Sequence, residues 1–221
     1  MNTSICHLVG AGSFAPDCFA PQKGDLVIAC DGGLYPLQRL GLLPDLAVGD
    51  FDSFTDDPEK LIPSDRIVRL PKEKDDTDCL YALRLGLERG YRRFLLHGTL
   101  GGSRFSHSLA NLALLSFLRR HNSAGVLIDE HAQVYLKGEG TLRFPAQSRG
   151  YLSVLAASQQ AQVRIKGLKY TFSGTLCAHL PLGTSNEFVG KEGEISVLSG
   201  QVFVVAEGAR APGFFFEADK D

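Results

Sequence analysis

The stretch Asp25-Leu-Val-Ile-Ala-Cys-Asp-Gly-Gly33 sets the pattern for the first half of the chain. Its apolar run has the length of a buried strand, and the acidic and glycine residues after it are typical of the loop that follows a strand. Residues 46–48, which lead into Gly49-Asp-Phe-Asp-Ser53, and residues 93–97, which lead into a glycine-rich loop, have the same form. Helical apolar spacing separates these units, and the alternation of strand, loop and helix predicts a parallel sheet with helices on its faces.

The predicted elements divide the chain into two parts. Strands are expected at residues 4–9, 25–30, 46–48, 66–70, 93–97 and 125–128, and helices at 34–42, 77–89 and 107–120. After about residue 132 the segments become short and β-rich, at 141–144, 151–155, 162–166, 175–179, 195–198 and 202–206, with Ser199-Gly200 as a hairpin turn between the last two. The sequence therefore predicts an α/β fold: an N-terminal Rossmann-like parallel-sheet domain over residues 1–131, followed by a C-terminal antiparallel β-sandwich domain over residues 132–221.

Composition argues against several classes of function. The net charge of −2 shows no basic excess, so neither nucleic acid nor an anionic membrane surface is an expected partner. No run approaches eighteen apolar residues, and the first ten residues resemble a strand more than a signal peptide. The five cysteines form no C-x-x-C pair, which favours reduced thiols and a cytoplasmic location.

Two acidic runs indicate a metal site. Asp50 and Asp52 are two residues apart, so in an extended segment both carboxylates project from the same face. Asp78 opens a predicted helix and can direct a third carboxylate to the same point. Converging carboxylates repel each other unless a cation lies between them, and oxygen ligands favour Mg²⁺, which holds substrate phosphates in many enzymes. A solvated turn with helix-capping aspartates is the alternative.

Four loops belong at the strand ends that line the ligand crevice of an open parallel sheet: residues 10–13, 31–33, 49–53 and 98–104. Two are glycine-rich, which lets backbone N–H groups approach phosphate oxygens closely. Two are acidic, which suits metal-bridged phosphates. Arg104 adds a fixed fork of donors for a phosphate oxygen. A nucleotide polyphosphate satisfies all four loops together.

Two other motifs have partial matches. Gly10-Ala-Gly-Ser-Phe-Ala15 followed by Asp31 resembles the dinucleotide-binding fingerprint, but Pro16, Pro21 and Gly24 leave too little uninterrupted chain for its crossover helix. Asp50-Phe-Asp-Ser-Phe54 resembles the nucleophile loop of haloacid-dehalogenase-like phosphatases, although it follows the third predicted strand and that family's companion motifs are not evident. A phosphohydrolase that uses Asp50 as nucleophile stays an alternative.

Taken together, the loops resemble the thiamine pyrophosphokinase (thiamine diphosphokinase) family. The motifs that carry the resemblance occur in the family's order: Asp31-Gly-Gly33, Gly49-Asp-Phe-Asp-Ser53, Lys74-Asp-Asp-Thr-Asp78, the run from Gly101 to Asn111, Gly167-Leu-Lys-Tyr170 and Gly183-Thr-Ser-Asn-Glu-Phe188. They extend over nearly the whole chain.

The resemblance implies a Mg²⁺-dependent transfer of diphosphate from the co-substrate ATP to the hydroxyl of thiamine, which gives thiamine diphosphate and AMP. It also implies a homodimer with shared active sites. Carried over by motif, the metal ligands are Asp50, Asp52 and Asp78, which form the catalytic set together with Arg104. The nucleotide-binding residues are Gly12, Asp31, Gly32, Gly33, Asp75, Thr77, Gly101, Gly102, His107 and Asn111. The thiamine side comprises Tyr170, Ser185 and Asn186, with Phe172 and Phe188 as further candidates for stacking on the thiazolium. A turn capped by Asn186 is the alternative for that residue.

The chain departs from the family pattern at one point. The family's Arg-x-Asp-His is Arg104-Phe-Ser-His107 here, with Ser103 inserted after the glycine pair. The departure removes a carboxylate from the expected phosphate site. A catalytically silent thiamine or nucleotide sensor is therefore a further alternative.

Overall fold

The structure is a computed structural model that describes residues 4–73, 75–102 and 104–208. The chain forms two compact units, which divide between Glu130 and His131. Within the described residues, the first unit has six parallel strands: β1 (Cys6–Val9), β2 (Leu26–Cys30), β3 (Leu46–Gly49), β4 (Ile67–Arg69), β5 (Arg93–His97) and β6 (Ala124–Ile128). Their spatial order is β6-β5-β1-β2-β3-β4. The predicted α/β class with a parallel sheet is confirmed.

Three α-helices accompany this sheet: α1 (Leu34–Arg39), α2 (Asp78–Glu88) and α3 (Phe105–Arg120). The start of α2 is fixed by Thr77, whose hydroxyl accepts a hydrogen bond from the backbone N–H of Leu80 at 3.2 Å. Its end is fixed by Gly90, which adopts the left-handed conformation (φ 87°) that often terminates a helix. No helix in the described part of the chain is long and apolar enough to cross a membrane.

The connection from β1 to β2 has no crossover α-helix. Its only helical piece is one 3-10 turn, Pro16–Cys18. Because proline cannot continue a hydrogen-bonded helix, the prolines of this segment keep the connection irregular. The connection therefore lacks the crossover helix that the dinucleotide-binding fingerprint requires, in agreement with the interpretation of the sequence.

The second unit contains two antiparallel sheets within its described residues. The strands are β7 (Ala132–Lys137), β8 (Gly140–Phe144), β9 (Tyr151–Ala156), β10 (Gln160–Lys166), β11 (Phe172–Cys177), β12 (Asn186–Glu187), β13 (Gly193–Ser199) and β14 (Val202–Glu207). One sheet has the order β12-β9-β14-β7, and the other has the order β11-β10-β13-β8. Along β10, buried and exposed residues alternate strictly, so one face of its sheet is covered and the other faces solvent.

The predicted hairpin at Ser199-Gly200 is wrong. Strand β13 pairs with β8 and β10, whereas β14 pairs with β7 and β9, so the turn joins two different sheets. Period-two alternation identifies a strand but carries no information about its partner. Glycine is required at this position because the backbone at Gly200 lies close to that of Gln160. A Cβ at Gly200 would lie 2.3 Å from the Gln160 carbonyl oxygen.

Strand β7 was missed by the sequence analysis. It contains Gln133 and Lys137, which are both buried, so its pattern does not show an apolar face. The side chain of Gln133 is satisfied inside the unit, since it accepts a hydrogen bond from the Tyr135 hydroxyl at 2.6 Å.

A buried histidine pair links three elements of the first unit. His7 Nδ1 lies 3.1 Å from His97 Nε2, and His7 Nε2 lies 3.2 Å from Asp25 Oδ2. Asp25 is held in turn by the backbone N–H groups of Ile5 and Gln22. Among the described residues no hydrogen-bond partner reaches His97 Nδ1, which is buried. Burial and the neighbouring His7 lower the pKa of His97 from its ordinary value of 6.5 to about 3.

This histidine should make the fold sensitive to acid. Between pH 6.5 and about 3 the unfolded chain binds more protons at His97 than the folded chain does, so the free energy of unfolding falls as the pH falls. The slope for one proton is at most ~1.4 kcal/mol per pH unit. Urea titrations across this window should show the slope in the wild-type chain and a flatter dependence in His97→Gln. The matched control, the exposed His179→Gln, should keep the wild-type slope, and a His97→Gln slope equal to wild type would contradict the assignment.

Candidate active site

The loops after β1 and β5 meet at the point where the strand order reverses. These strands are neighbours, yet the chain continues from them to opposite sides of the sheet. The backbone N–H of Gly12 donates to the carbonyl oxygen of Gly98 at 2.7 Å, and that of Ser13 donates to Leu100 at 3.0 Å. A Cβ at Gly12 would lie 2.2 Å from the carbonyl oxygen of Leu100, so only glycine permits this approach.

Three carboxylates gather at the ends of neighbouring elements. Asp31 follows β2, Asp50 follows β3, and Asp78 is the first residue of α2. One oxygen of each lies within 4.8 Å of the others, which is the arrangement expected of ligands to a single cation. The predicted convergence of Asp50 and Asp78 is therefore observed, and the third member of the cluster is Asp31.

Asp31 has the properties of a metal ligand. Its backbone is left-handed (φ 49°), an uncommon conformation for a residue other than glycine. Its Oδ1 atom is buried and has no hydrogen-bond partner among the described residues. Burial raises the pKa of Asp31, a hydrogen bond from Ser53 opposes this, and the carboxylates of Asp78 and Asp52 raise it further. A divalent cation would satisfy the buried oxygen and offset the repulsion.

Asp52 does not belong to this cluster of described residues. The expectation that Asp50 and Asp52 face the same way assumed an extended backbone, but Phe51 between them is left-handed (φ 58°) and buried. Asp52 is exposed, and its Oδ1 accepts a hydrogen bond from the Ser53 hydroxyl at 3.1 Å. Its role as a metal ligand stays a prediction.

The sequence contained a signal for Asp31. It ends its strand as Asp50 does, and β2 and β3 pair directly in parallel, so both residues lie at the same edge of the sheet. Gly49 makes the approach possible, because a Cβ there would lie 3.1 Å from Asp31 Cα.

Buried aromatic side chains and hydrogen bonds to Tyr35 hold the acidic loop after β3 in place. Phe51 and Phe54 are buried in the apolar core that β1, β2, β3 and α1 share. The Tyr35 hydroxyl lies 2.7 Å from Thr55 Oγ1 and accepts a hydrogen bond from the Thr55 backbone N–H at 2.8 Å. The tyrosine ring also contacts Phe54, at 4.6 Å between ring centroids. These contacts fix the loop while its carboxylates stay near the surface.

The predicted phosphate-side residues fall into two groups. Arg104 and His107 are exposed at the start of α3, where ligand could reach them, whereas Asn111 is buried one turn further along. The Asn111 side chain donates to the carbonyl oxygen of Thr99 at 2.6 Å, so it holds the glycine-rich loop instead of facing solvent. Gly101 and Gly102 both adopt left-handed backbone (φ 70° and 78°) in that loop. The inserted Ser103 lies outside the described residues.

Near the second acidic run, two neighbours of Asp78 have structural partners. Thr77 uses its hydroxyl to cap α2, and Asp76 forms an ion pair with Arg84. Asp75, the predicted nucleotide-binding residue, is exposed.

The buried glycines Gly32 and Gly33 follow Asp31 in a 3-10 turn. A Cβ at Gly33 would overlap the carbonyl oxygen of Val9.

The predicted thiamine-side residues lie in the second unit. Asn186 is buried, donates through Nδ2 to the Tyr170 carbonyl oxygen at 2.7 Å, and accepts at Oδ1 from the Tyr170 and Glu187 backbone N–H groups at 2.9 Å each. It therefore clamps the Tyr170 backbone, which favours the structural interpretation of Asn186. Tyr170 itself is 61% exposed. Ser185 has left-handed backbone (φ 57°) and its N–H donates to Ser153 Oγ at 3.0 Å.

The two other aromatic candidates differ from Tyr170. Phe188 is buried and packs against Phe144, at 5.5 Å between ring centroids, as a core residue does. Phe172 is partly buried in β11.

Two cysteines are chain neighbours of the carboxylate cluster. Cys30 precedes Asp31 and Cys79 follows Asp78. A hydrogen bond with Cys79, together with burial, raises the pKa of the Cys30 thiol well above its ordinary value. Neither thiol was singled out by the sequence analysis, since 49 positions separate them in the chain.

Comparison with protein families identifies both halves of the chain. The model described as "Thiamin pyrophosphokinase, catalytic domain" matches residues 21–127, and the one described as "Thiamin pyrophosphokinase, vitamin B1 binding domain" matches residues 140–202. The thiamine pyrophosphokinase of Bacillus subtilis (strain 168) is 31% identical over 191 residues, covering 81% of this chain and 86% of that protein. The chain belongs to the thiamin pyrophosphokinase family.

Solved structures of the thiamin pyrophosphokinase family have the same fold. A crystal structure of the Bacillus subtilis thiamine pyrophosphokinase superposes with a TM-score of 0.82 at 26% identity, covering 92% of this chain and 99% of that one. The Geobacillus thermodenitrificans thiamin pyrophosphokinase gives a TM-score of 0.76 at 26% identity, covering 94% and 99%. The yeast enzyme, at 15% identity, shares the fold with a TM-score of 0.74, covering 92% and 86%.

The two thiamin pyrophosphokinase matches separate the candidate residues. The catalytic-domain match contains the carboxylate cluster and the residues at the start of α3, and the vitamin B1 match contains Tyr170, Ser185 and Asn186. The departure at Ser106 falls within the catalytic-domain match. Ser106 is exposed in the first turn of α3, which contains no acidic residue.

The carboxylate cluster predicts an order of effects on metal binding. Asp31→Asn should weaken Mg²⁺ binding by on the order of tenfold, about 1.4 kcal/mol, because it removes a ligand charge from the cluster. Asp52→Asn should have a smaller effect, and the exposed Asp56→Asn should be close to wild type. Calorimetric titration with Mg²⁺, or with Mn²⁺ followed by paramagnetic resonance, measures the three affinities. A larger loss for Asp52→Asn than for Asp31→Asn would restore the ligand set predicted from the sequence.

Proposed function

We propose that this chain transfers diphosphate from ATP to the hydroxyethyl group of thiamine, which gives thiamine diphosphate and AMP. The observation that carries the proposal is the convergence of Asp31, Asp50 and Asp78 beside the glycine-rich loops, in a chain of the thiamin pyrophosphokinase family. The reaction depends mainly on electrostatic interactions, because the site must bind a polyphosphate and stabilise the charge on the transferred diphosphate group.

The metal role falls to the carboxylate cluster. Asp31, Asp50 and Asp78 would hold Mg²⁺, which when bound neutralises charge on the phosphates of ATP and on the transferred group. The fit rests on the all-oxygen donor set and on Asp31 Oδ1, which is buried and has no hydrogen-bond partner in the described part of the chain. Asp52 remains a candidate for a ligand supplied through water or after rearrangement of its loop.

The phosphate role falls to the loops after β1 and β5 and to the start of α3. Glycine backbone in these loops lets N–H groups approach phosphate oxygens, and the Arg104 guanidinium offers paired donors. The absence of an acidic residue in the first turn of α3 is favourable here. Because position 106 is a serine and not an aspartate, no carboxylate at this position offsets the positive end of the α3 dipole. The departure from the family pattern is therefore compatible with ATP binding.

In the reaction, the thiamine hydroxyl oxygen forms a bond to the β-phosphorus of ATP, and the bond from that phosphorus to the oxygen bridging to the α-phosphorus breaks. AMP leaves with that oxygen, and a carboxylate of the site accepts the hydroxyl proton. The chain's residues contribute by position and charge, and no covalent intermediate is required.

The thiamine role falls to the Tyr170 region of the second unit. Asn186 holds both the backbone N–H and the carbonyl oxygen of Tyr170, and the Tyr170 side chain is exposed. An aromatic face attracts the cationic thiazolium, and the chain contains no tryptophan to compete for that role. Ser185, whose backbone N–H donates to Ser153 Oγ, is exposed next to Asn186 in the chain.

The proposal also includes the domain arrangement, the location and the oligomeric state of the protein. Residues 1–131 are the nucleotide and metal domain, and residues 132–221 are the thiamine domain, a β-sandwich. The contact between Tyr135 of β7 and Phe144 of β8, which belong to different sheets, supports the sandwich. The five cysteines, none of which forms a disulfide within the described residues, support a reducing, cytoplasmic location. A homodimer with shared sites is proposed from the family, with support from exposed apolar side chains of the second unit such as Leu180 and Leu182, and its mass in solution tests this.

Neither alternative function is favoured. A phosphohydrolase with Asp50 as nucleophile would leave the vitamin B1 binding match over residues 140–202 without a role. A silent sensor would retain the complete carboxylate cluster for no chemical purpose.

The central prediction concerns turnover. With ATP, Mg²⁺ and thiamine, the wild-type chain should form AMP and thiamine diphosphate in equal amounts, detected by mass spectrometry. Asp50→Asn and Asp78→Asn should each lower kcat/KM at least about a hundredfold, since each removes charge that stabilises the transferred group. Asp56→Asn, in the same loop region, is the control and should retain activity. Phosphate release that does not depend on thiamine would instead support the phosphohydrolase.

A second prediction concerns the thiamine side. Tyr170→Ala should raise the KM for thiamine about five- to tenfold, corresponding to ~1 kcal/mol of cation–π energy, with little change in kcat. Tyr170→Phe keeps the ring and should stay close to wild type. Steady-state kinetics at saturating ATP separates the two parameters. Equal behaviour of the two variants would show that the ring does not contact the substrate.

A further inference from the structure

His97 connects the two loops on the phosphate side of the site. It is the last residue of β5 and directly precedes the glycine-rich loop. Its carbonyl oxygen accepts a hydrogen bond from the backbone N–H of Gly10, the first residue of the loop after β1, at 2.8 Å. Its side chain is fully buried, so it can act on a ligand only through the residues that it contacts.

The His97 ring supports the loop after β1 through two phenylalanine rings. Phe19 meets it edge-on, at 5.1 Å between ring centroids, and Phe14 lies at 6.1 Å. The two phenylalanine rings contact each other at 5.5 Å. Phe14 directly follows Ser13, whose backbone N–H donates to the carbonyl oxygen of Leu100 in the glycine-rich loop. The position of the His97 ring therefore affects where the two loops meet.

The proton positions in the buried pair follow from Asp25. Its carboxylate accepts hydrogen bonds from the backbone N–H groups of Ile5 at 2.7 Å and Gln22 at 2.8 Å. Burial would raise the pKa of Asp25, but these hydrogen bonds and that with His7 hold it below its ordinary value. Because a carboxylate can only accept, the proton of the 3.2 Å contact with His7 belongs to His7 Nε2. Burial lowers the pKa of His7, so its ring is neutral and its Nδ1 is an acceptor.

The same reasoning fixes the proton of His97. His97 Nε2 lies 3.1 Å from the accepting His7 Nδ1 and must therefore donate to it. Burial and the neighbouring His7 hold the pKa of His97 at about 3, so the ring is neutral and its Nδ1 carries no proton. The other tautomer would set two lone pairs against each other and bury an N–H without an acceptor among the described residues. A single arrangement of protons therefore satisfies the pair, and it holds the two rings nearly parallel, at an angle of 11°.

We propose that His97 is a positioning residue: the hydrogen bonds from Asp25 through His7 fix its ring, and the ring holds the loops after β1 and β5 in the arrangement that binds the polyphosphate of ATP. The effect on ATP rests on the proposed function, whereas the proton positions do not. Without the hydrogen bond the ring can rotate, and its contacts with Phe14 and Gly10 change. Since the loops bind the polyphosphate before and during transfer, the loss falls on the KM for ATP more than on kcat.

Nuclear magnetic resonance of the full-length chain labelled with ¹⁵N-histidine tests the proton positions without any substitution. At neutral pH both His7 and His97 should show the pattern of a neutral ring with its proton on Nε2. His7→Gln and His97→Gln assign the two resonances, and the exposed His179 gives the pattern of a histidine that titrates in solvent. A proton on Nδ1 of either buried residue, or a charged His97 at neutral pH, would overturn the proposal.

Two substitutions of His97 separate its hydrogen bond from its ring. His97→Phe keeps a ring but removes the donor, and it should raise the KM for ATP on the order of tenfold, with kcat and the KM for thiamine close to wild type. His97→Gln keeps a side-chain N–H donor and should stay close to wild type. An unchanged KM for ATP in His97→Phe, or equal losses in both variants, would contradict the positioning role.

The control for a general loss of stability is Leu118→Ala. Leu118 is buried and lies against Gly125 near the start of β6, whereas His97 pairs with Ile128 at the end of that strand. The control should lower the free energy of unfolding and leave the KM for ATP unchanged. His7→Phe removes the link to Asp25 and keeps His97, so it should raise the KM for ATP as His97→Phe does. It is the second test where His97→Phe does not fold.

Calorimetric titration with ATP and Mg²⁺ measures the same effect without turnover. Binding should be weaker in His97→Phe than in His97→Gln and the wild-type chain, and equal affinities in all three would overturn the proposal. A wild-type chain that forms no AMP, while these differences in ATP affinity persist, would count against the proposed function alone.

Discussion

The repulsion among Asp31, Asp50 and Asp78 is the constraint around which the first unit is organised. Two unit charges at roughly 4 Å repel by about 1 kcal/mol in water and about 4 kcal/mol in a partly buried site. Three carboxylates here each place one oxygen within 4.8 Å of the others, and Oδ1 of Asp31 and Oδ1 of Asp78 are both buried. A fold can keep such carboxylates together only if packing elsewhere fixes the chain. A divalent cation between them would replace the repulsion with attraction, so the same geometry would bind the cation.

Packing supplies that support from the apolar side of each loop. Phe51 and Phe54 bury the acidic loop after β3, Tyr35 hydrogen-bonds to its far end, and Asn111 holds the glycine-rich loop by one carbonyl oxygen. Left-handed backbone at Asp31 and Phe51 is part of this arrangement. Such conformations cost about 1–3 kcal/mol each and persist where the surroundings over-determine them. The strain therefore marks the segments whose position matters for ligand binding.

The sequence predicted most of the first unit, because its signals are local. Thr77 as helix cap, Gly90 as helix end and the apolar runs of the strands all act over a few residues. The failures involve information that is not local. Phe51 is buried and has left-handed backbone, which separates the Asp52 side chain from that of Asp50. Nothing in the acidic motif predicts this backbone conformation. The turn at Ser199-Gly200 has hairpin composition, yet its strands belong to different sheets. Asp31 was recognised as a site residue, but its place beside Asp50 follows from strand pairing alone.

The thiol pair belongs to the same physical problem as the carboxylates. Carboxylates at the end of β2 and the start of α2 repel, so the contact between these two elements must be stabilised one residue away, beneath the charges. Cys30 and Cys79 occupy those positions as small, weakly polar side chains, and a hydrogen bond with Cys79 together with burial raises the pKa of Cys30. Serine at either position would place a more polar hydroxyl at this seam, and a larger apolar residue would separate the strand from the helix.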